Sequence, residues 1–502
     1  MLIVRALEDI PNQRIKQGDT FRIYIVDAHH HMGKEKTHKN TPGGAYDFYQ
    51  LLWFEMKRLI QRAMEEEKLL FEPIEVVAPS FPSRIFNSRK SWKRLNHGWL
   101  VDRTIVFPYS DDYSKRGSDG SPSFKVSNDK IAGWTTRAPH SSRLIGFGRV
   151  DPSDATHGPP DIAVRELERA IQHLGLRGLK LHPLAQLFID ELEDDITKRV
   201  MKKAGELAIP VIFDTRNMRT AIRIKKLVDS MRADEKYQTA MRGLKIIIAH
   251  CGMSPGDSKL YDILRDPSFS ADTSTLHDQD IPLLFDMAVN RIKTPDKRWS
   301  ESLLFGTDYS FLSVQAAELI LFTLSREFPG TLSDVQRILG GNVLSITQRP
   351  FRTARTTKRS PRQLACPSDN GTSRITVEEG IISLLRKNGW ELASLDPMLP
   401  PHQTWPEPVS ETEGGFNGVY NDSVIATLSS REVEYELHLW LRNIPGDYLT
   451  LASLGTSGED SLITVEYATH KIGERLIEEL TRNTRHERDA KSLVESIPRL
   501  FK

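Results

Sequence analysis

The stretch FRIYIVDAHHHMG, residues Phe21 to Gly33, is an apolar, β-branched and aromatic run that turns polar at its carboxyl end. Such a run predicts a buried strand over 21–28. Positions two apart in an extended chain share a face, so His29 and His31 point one way and His30 the other. Two neutral imidazoles on one face are a chelating pair for zinc or a similar ion. Taken alone the pair is weak evidence, because paired histidines also stand in cores and on surfaces.

The same form recurs along the chain. RTIVFP (103–108), LIGFGRV (144–150), GLKLH (178–182), PVIFDT (210–215), LKIIIAH (244–250), FSADTS (269–274) and SLLFGTD (302–308) complete a set of eight candidate strands. Helical patterns separate them. Leu52, Met56, Leu59, Ile60 and Ala63 mark one apolar face, and Val164, Leu167, Ala170, Ile171 and Leu174 mark another, with Gly175 as a stop. Near-continuous apolar strands alternating with helices predict an α/β fold with a parallel sheet covered on both faces, a (β/α)8 TIM barrel. A doubly wound open sheet has the same alternation, and the polar strand ends separate the two. His250 closes the sixth strand, Asp308 the eighth, and Lys180 and His182 share a face of the fourth just before Pro183. In a barrel these ends converge on one mouth, where burying them together calls for a compensating cation. Cys251, on the opposite face from His250, fits a small buried residue.

These residues in this order resemble the amidohydrolase superfamily over roughly residues 21–348. The nearest branch is that of metal-dependent TIM-barrel hydrolases that also holds aromatic-acid and aminocarboxymuconate-type decarboxylases. VDAHHHMG is similar to the D-x-H-x-H-x-G motif of that branch's first strand, through Asp27, His29 and His31. GLRGLKLHPLAQLF (175–188) is similar to its fourth-strand signature, and FGRVDP, IIIAHCG, SADTS and LLFGTD match further strands. The resemblance implies one divalent ion, zinc first and manganese second, held by His29, His31 and Asp308. His250 would polarise a carbonyl or handle a proton. The fifth strand departs from the pattern, since Asp214 stands where a histidine ligand belongs and the following glycine is missing. Three readings follow: Asp214 is a fourth, oxygen ligand; the site works without a tightly held metal; or the barrel is a scaffold.

The expected function is hydrolysis of a small-molecule amide, lactone or ester by an ion-activated water. Asp308 would move the proton and His250 stabilise the developing charge. His182, Lys180 and Arg216 are the expected substrate contacts, and Arg219 is a further cation after the fifth strand; their bland alternative is an ordinary ion pair. A non-oxidative decarboxylase on the same groups, and a non-catalytic barrel within an assembly, are the alternatives.

The chain's 502 residues, 39% hydrophobic and 27% charged, with a net charge of +1, describe a globular protein with no global pull toward nucleic acid. Two cysteines far apart exclude a disulfide framework and favour a reducing, cytoplasmic compartment. No apolar run approaches the roughly 20 residues of a membrane span. The expected partner is a small-molecule substrate, with self-association left open. The barrel is expected over 1–348 and a basic polar linker over 349–375. An α+β domain of unread role is expected over 376–502, with no metal-ligand spacing among its histidines.

Overall fold

The computed structural model describes residues 1–35, 38–76, 99–110, 121–135, 140, 143–309 and 315–347, together with the backbone of six strands between 391 and 466. Eight parallel strands form one curled sheet: Val26–Glu35, Arg103–Pro108, Leu144–Arg149, Gly178–Leu181, Pro210–Phe213, Lys245–Ile248, Phe269–Asp272 and Leu303–Leu304. They are ordered as in the chain. Each pairs in parallel with the next. The sheet closes on itself through Ala28 N to Phe305 O at 2.8 Å, Asp308 N to His29 O at 2.8 Å and His31 N to Tyr309 O at 2.7 Å. Asp27 laces this seam. Its carboxylate accepts from the Thr307 amide at 3.0 Å, the Thr307 hydroxyl at 2.6 Å and the Tyr49 hydroxyl at 2.8 Å.

Alternation along each strand builds two apolar layers. Val26, Ala28, Ile105, Phe107, Ile145, Phe147, Ile212, Ile247 and Leu304 pack together as one cluster inside the barrel. Their neighbours Val106, Leu144, Leu179, Val211, Ile246 and Phe269 belong to the second cluster, beneath the helices. The helix expected after the first strand spans Pro42–Glu65, with Leu52 and Met56 buried and Leu59, Ile60 and Ala63 half-buried on the same core. The Val164–Leu174 pattern becomes Ile162–Glu168 and a wider turn at Arg169–His173, ended by Gly175 at φ 77°.

One expectation is corrected. The apolar run 21–28 is not a single strand: Thr20–Ile23 pairs antiparallel with Leu2–Ala6 in a separate small sheet, and the barrel strand starts at Val26. Side chains from far along the chain impose the break. Gln336 bridges the Tyr24 amide and carbonyl, both at 2.8 Å, and Asp102 takes the Ile25 amide at 2.9 Å.

Past residue 348, strands Ser423–Ser430 and Val433–Leu441 lie in a five-stranded antiparallel sheet. The basic linker expected over 349–375 and, apart from its described strands, the α+β domain expected over 376–502 lie outside the described residues.

The segment after the eighth strand is pinned by Asp334. Its fully buried carboxylate meets Arg298, the Ser300 hydroxyl at 2.6 Å and the Thr331 amide at 2.8 Å, closing a capping box on Leu332–Gln336. Burial pushes the carboxyl up, but Arg298, Ser300 and Thr331 outweigh it and hold the pKa at about 2. A depressed folded-state pKa gives stability that is present above the ordinary carboxylate range, about 4, and lost as pH falls toward 2. Asp334→Ala is therefore expected to cost about 3 kcal/mol at neutral pH. Urea unfolding should show the gap to the parent protein narrowing below about pH 4; a gap independent of pH would mean that the charge contributes nothing.

Candidate metal centre

Inward alternation carries apolar side chains up each strand and ends in polar ones at the carboxyl mouth. Ile145 and Phe147 are followed by Arg149, Ile212 by Asp214, and Lys180 by His182. On the first strand the register slips between Asp27 and His30, so that Ala28 and His29 together oppose Ile105. A bulge of this kind re-aims a side chain next to a site. Here it turns His29 and His31 into the mouth and His30 out of it. His30 is then fixed outside, accepting from Asn40 Nδ2 at 2.8 Å and donating from Nδ1 to the Tyr49 hydroxyl at 3.0 Å.

His29 is the hub. Its Nδ1 donates to Asp272 Oδ2 at 2.9 Å, which leaves Nε2 as the lone-pair end. Nε2 lies 3.4 Å from Asp308 Oδ1, and His31 Nε2 lies 3.2 Å from the same oxygen. His29, His31 and Asp308 bring their ligand atoms within 4.8 Å of one another, all buried. His29, Asp214 and His250 form a second such group. Phe107 stands edge-on to both imidazoles, at 5.0 Å and 4.9 Å between centroids, and Tyr109 stacks on His31 at 5.1 Å. Among the described residues, Asp308 Oδ1 and Asp214 Oδ1 are buried without a hydrogen-bond donor. A buried anionic oxygen without a donor, facing two imidazole nitrogens, fits a cation of borderline hardness. The His29–His31–Asp308 group therefore suits a divalent ion.

Two backbone segments here are strained. Asp308 has φ 53°, and the turn after the sixth strand runs left-handed through His250 at 57°, Cys251 at 48° and Gly252 at 65°. Such non-glycine conformations cost about 1–3 kcal/mol each and persist only where surroundings impose them. Asp272 does so for the turn, accepting the His250 amide at 3.0 Å while its carbonyl takes the Cys251 thiol at 3.2 Å. The Ser274 hydroxyl donates to Asp272 and receives His250 Nδ1 at 2.9 Å, so Nε2 is the end of His250 that faces Asp214, at 3.6 Å.

Charges are arranged in layers. Burial pushes the His31 imidazole down to about 3, so it stays neutral and able to ligate. Burial and Lys180 lower His29 as well. Burial raises Asp308, yet the close approach of His31, with His29 and His250 beyond it, outweighs burial and holds the carboxyl at about 2. Asp214 is likewise raised by burial but driven well below the carboxylate range by Lys180, His182 and His250. His250 moves the other way: burial would lower it, and Asp214, Asp308 and Asp272 raise it.

The structure brings His29, His31, His250, Asp308, Asp214, Lys180 and His182 to one mouth. Arg216 reaches Asp214 Oδ1 at 3.5 Å with its side chain 51% exposed, and Arg219 is exposed on the following helix. Lys180, expected to contact substrate, is fully buried, 3.1 Å from Asp214 Oδ2 and 3.0 Å from His29 Nε2. Cys251 is buried, as expected for a packing residue. Sequence reasoning missed Asp272, Tyr109 and Phe107. Asp272 sits inside the SADTS match, two residues before Ser274 on the inward face, and that alternation is the signal that could have found it.

The family model described as amidohydrolase matches residues 115–343. Several solved structures are similar. Dihydroxybenzoic acid decarboxylase from Polaromonas sp. JS666, with bound manganese and the inhibitor 2-nitroresorcinol, is 18% identical, covering 65% of this chain and 97% of its own at a TM-score of 0.39. 2,6-Dihydroxybenzoate decarboxylase from Rhizobium is 14% identical over 65% and 99%, with a TM-score of 0.38. 4-Oxalomesaconate hydratase from Rhodopseudomonas palustris is 17% identical over 64% and 95%, with a TM-score of 0.36. No curated protein matches by sequence. Among the described residues no helix is long and apolar enough to cross a membrane.

Proposed function

Since its barrel belongs to the amidohydrolase superfamily, we propose that this protein is a metal-dependent hydrolase of a small-molecule amide, lactone or ester. The observation that carries the reading is the meeting of His29 Nε2, His31 Nε2 and the donorless Asp308 Oδ1 in one buried group at the barrel mouth. These three would hold one divalent ion, zinc or manganese. When bound, the ion supplies Lewis acidity to a water or a substrate carbonyl.

The protein's own groups do the rest. Asp272 locks the His29 tautomer, so that Nε2 is offered as a ligand. The second oxygen of Asp308 takes the proton from the attacking water and passes it to the leaving group. His250, its Nδ1 fixed on Ser274, turns Nε2 inward to support charge developing on the scissile oxygen. His182 and the half-exposed Arg216 stand where a substrate carboxylate would be held. A scaffold would have no use for two strained backbone segments and this set of buried ionisable groups.

The protein is expected to purify with about one divalent ion per chain, in keeping with a three-ligand catalytic site. Elemental analysis checks this, and absence of metal with no uptake on reconstitution would overturn the reading. A panel of lactones, amides, esters and aromatic carboxylic acids then separates the chemistry. Acid release assigns hydrolysis; carbon dioxide release would move the same residues to a decarboxylase, in which Asp308 protonates carbon.

A further inference from the structure

The imidazoles at the mouth are wired in two opposite ways. His29 and His250 both donate through Nδ1, to Asp272 and to Ser274. His182 is reversed. Its Nδ1 accepts from the Ala185 amide at 3.1 Å, so the ring proton sits on Nε2. Gln186 holds the turn that supplies this amide. Its Oε1 accepts from the His182 amide at 2.8 Å and from Arg149 Nη1 at 3.1 Å, and its Nε2 donates to Val150 O at 2.8 Å. Burial pushes the His182 imidazole down to about 3, which keeps it a neutral donor. Its Nε2 lies 3.4 Å from Asp214 Oδ1, yet that oxygen accepts no hydrogen bond among the described residues. The N–H is therefore not aimed at the carboxylate. Asp214 Oδ2 is already answered by Lys180 at 3.1 Å. A buried donor and a buried acceptor thus stand side by side, and neither satisfies the other.

We propose that His182 Nε2–H and Asp214 Oδ1 together read a hydroxyl group on the substrate, beside the carboxylate held by Arg216. A hydroxyl suits the pair because one oxygen both accepts from the ring and donates to the carboxylate. A carboxylate oxygen can only accept, and an amide nitrogen can only donate. A hydrogen in place of the hydroxyl leaves both protein groups buried and unpaired, and sites of that kind reject the deoxy analogue. The inference rests on the hydrolase reading above and narrows its substrates to esters, lactones or amides of hydroxylated acids.

The test uses lactate and propionate, which share a carboxylate and differ by one hydroxyl, titrated calorimetrically into the zinc-loaded full chain. Lactate should bind more tightly by on the order of tenfold. In His182→Leu the two should bind within about threefold of each other, while His182→Gln, which keeps a side-chain N–H, should retain part of the preference. Nitrogen-15 NMR of the histidine-labelled protein should show the His182 proton on Nε2, and lactate but not propionate should shift that signal. The preference should also persist in the parent after chelation of the ion, a comparison that holds even where neither variant folds. Equal binding of lactate and propionate overturns the proposal, as does a ring protonated on Nδ1. So does a preference that survives in His182→Leu or vanishes with the ion, either of which would mean that the hydroxyl is read by other groups. Tighter binding of lactate through His182, with no acid released from any ester, lactone or amide, would keep the hydroxyl site and overturn only the hydrolytic reading.

Discussion

Asp308→Asn is expected to lower turnover by on the order of 10³-fold while the protein stays folded. The choice of asparagine follows from the backbone. Asp308 sits at φ 53°, a left-handed conformation that asparagine tolerates and alanine resists. Its amide still closes the barrel by donating to His29 O at 2.8 Å. What the variant loses is charge. The amide neither accepts the proton nor matches the carboxylate as a ligand beside His29 Nε2 and His31 Nε2. Ion affinity should therefore fall together with turnover. Stability should fall modestly, since the histidines that hold the Asp308 carboxyl at about 2 lose their anion, while the backbone closure of the barrel is kept. Turnover on a substrate from the panel, ion binding by dialysis and thermal unfolding are the three readouts. Near-normal turnover would remove Asp308 from the chemistry.

The barrel and its mouth were legible because both follow from local rules. Apolar strands with polar carboxyl ends need only alternation and the convergence of strand ends, and His29, His31, His250 and Asp308 were found that way. What stayed hidden depended on partners distant in sequence. The break at Tyr24–Ile25 is made by Gln336 and Asp102, and nothing in FRIYIVDA announces either. The bulge that turns both Ala28 and His29 inward is a register event between two strands. Simple alternation grouped His29 with His31 correctly, but could not tell which face was the barrel interior. Asp272 was missed because its work is to hold other groups: it orients His29, the His250 turn and Ser274 at once.

Asp214 is the sharpest case. Arg216, two residues along, is the cation nearest to it in sequence. In the fold the nearer partner is Lys180, from the adjacent strand, where Lys180 pairs with Ile212 and both precede inward polar residues. The expected result for Asp214→Ala is a loss of about 3–5 kcal/mol of stability, the penalty for leaving a buried charge without its partner. Lys180 is the group left exposed to that penalty. Its ammonium has no solvent contact, and the Asp214 oxygens are also the nearest anions to His182 at 3.4 Å and to His250 at 3.6 Å. Ion affinity at His29, His31 and Asp308 should change by less than about threefold, well below the 10–100-fold expected when a direct or supporting ligand is lost. Arg216→Ala should do little, because half of its side chain is in water. The double variant Asp214→Ala/Lys180→Met should regain most of the lost stability, since removing both partners leaves no buried charge to compensate. Urea unfolding of the four proteins, with zinc titration of each, separates the roles. If Asp214→Ala instead keeps its stability and loses ion affinity tenfold or more, the aspartate is a metal ligand in the histidine's place, and Lys180 must give way to the ion.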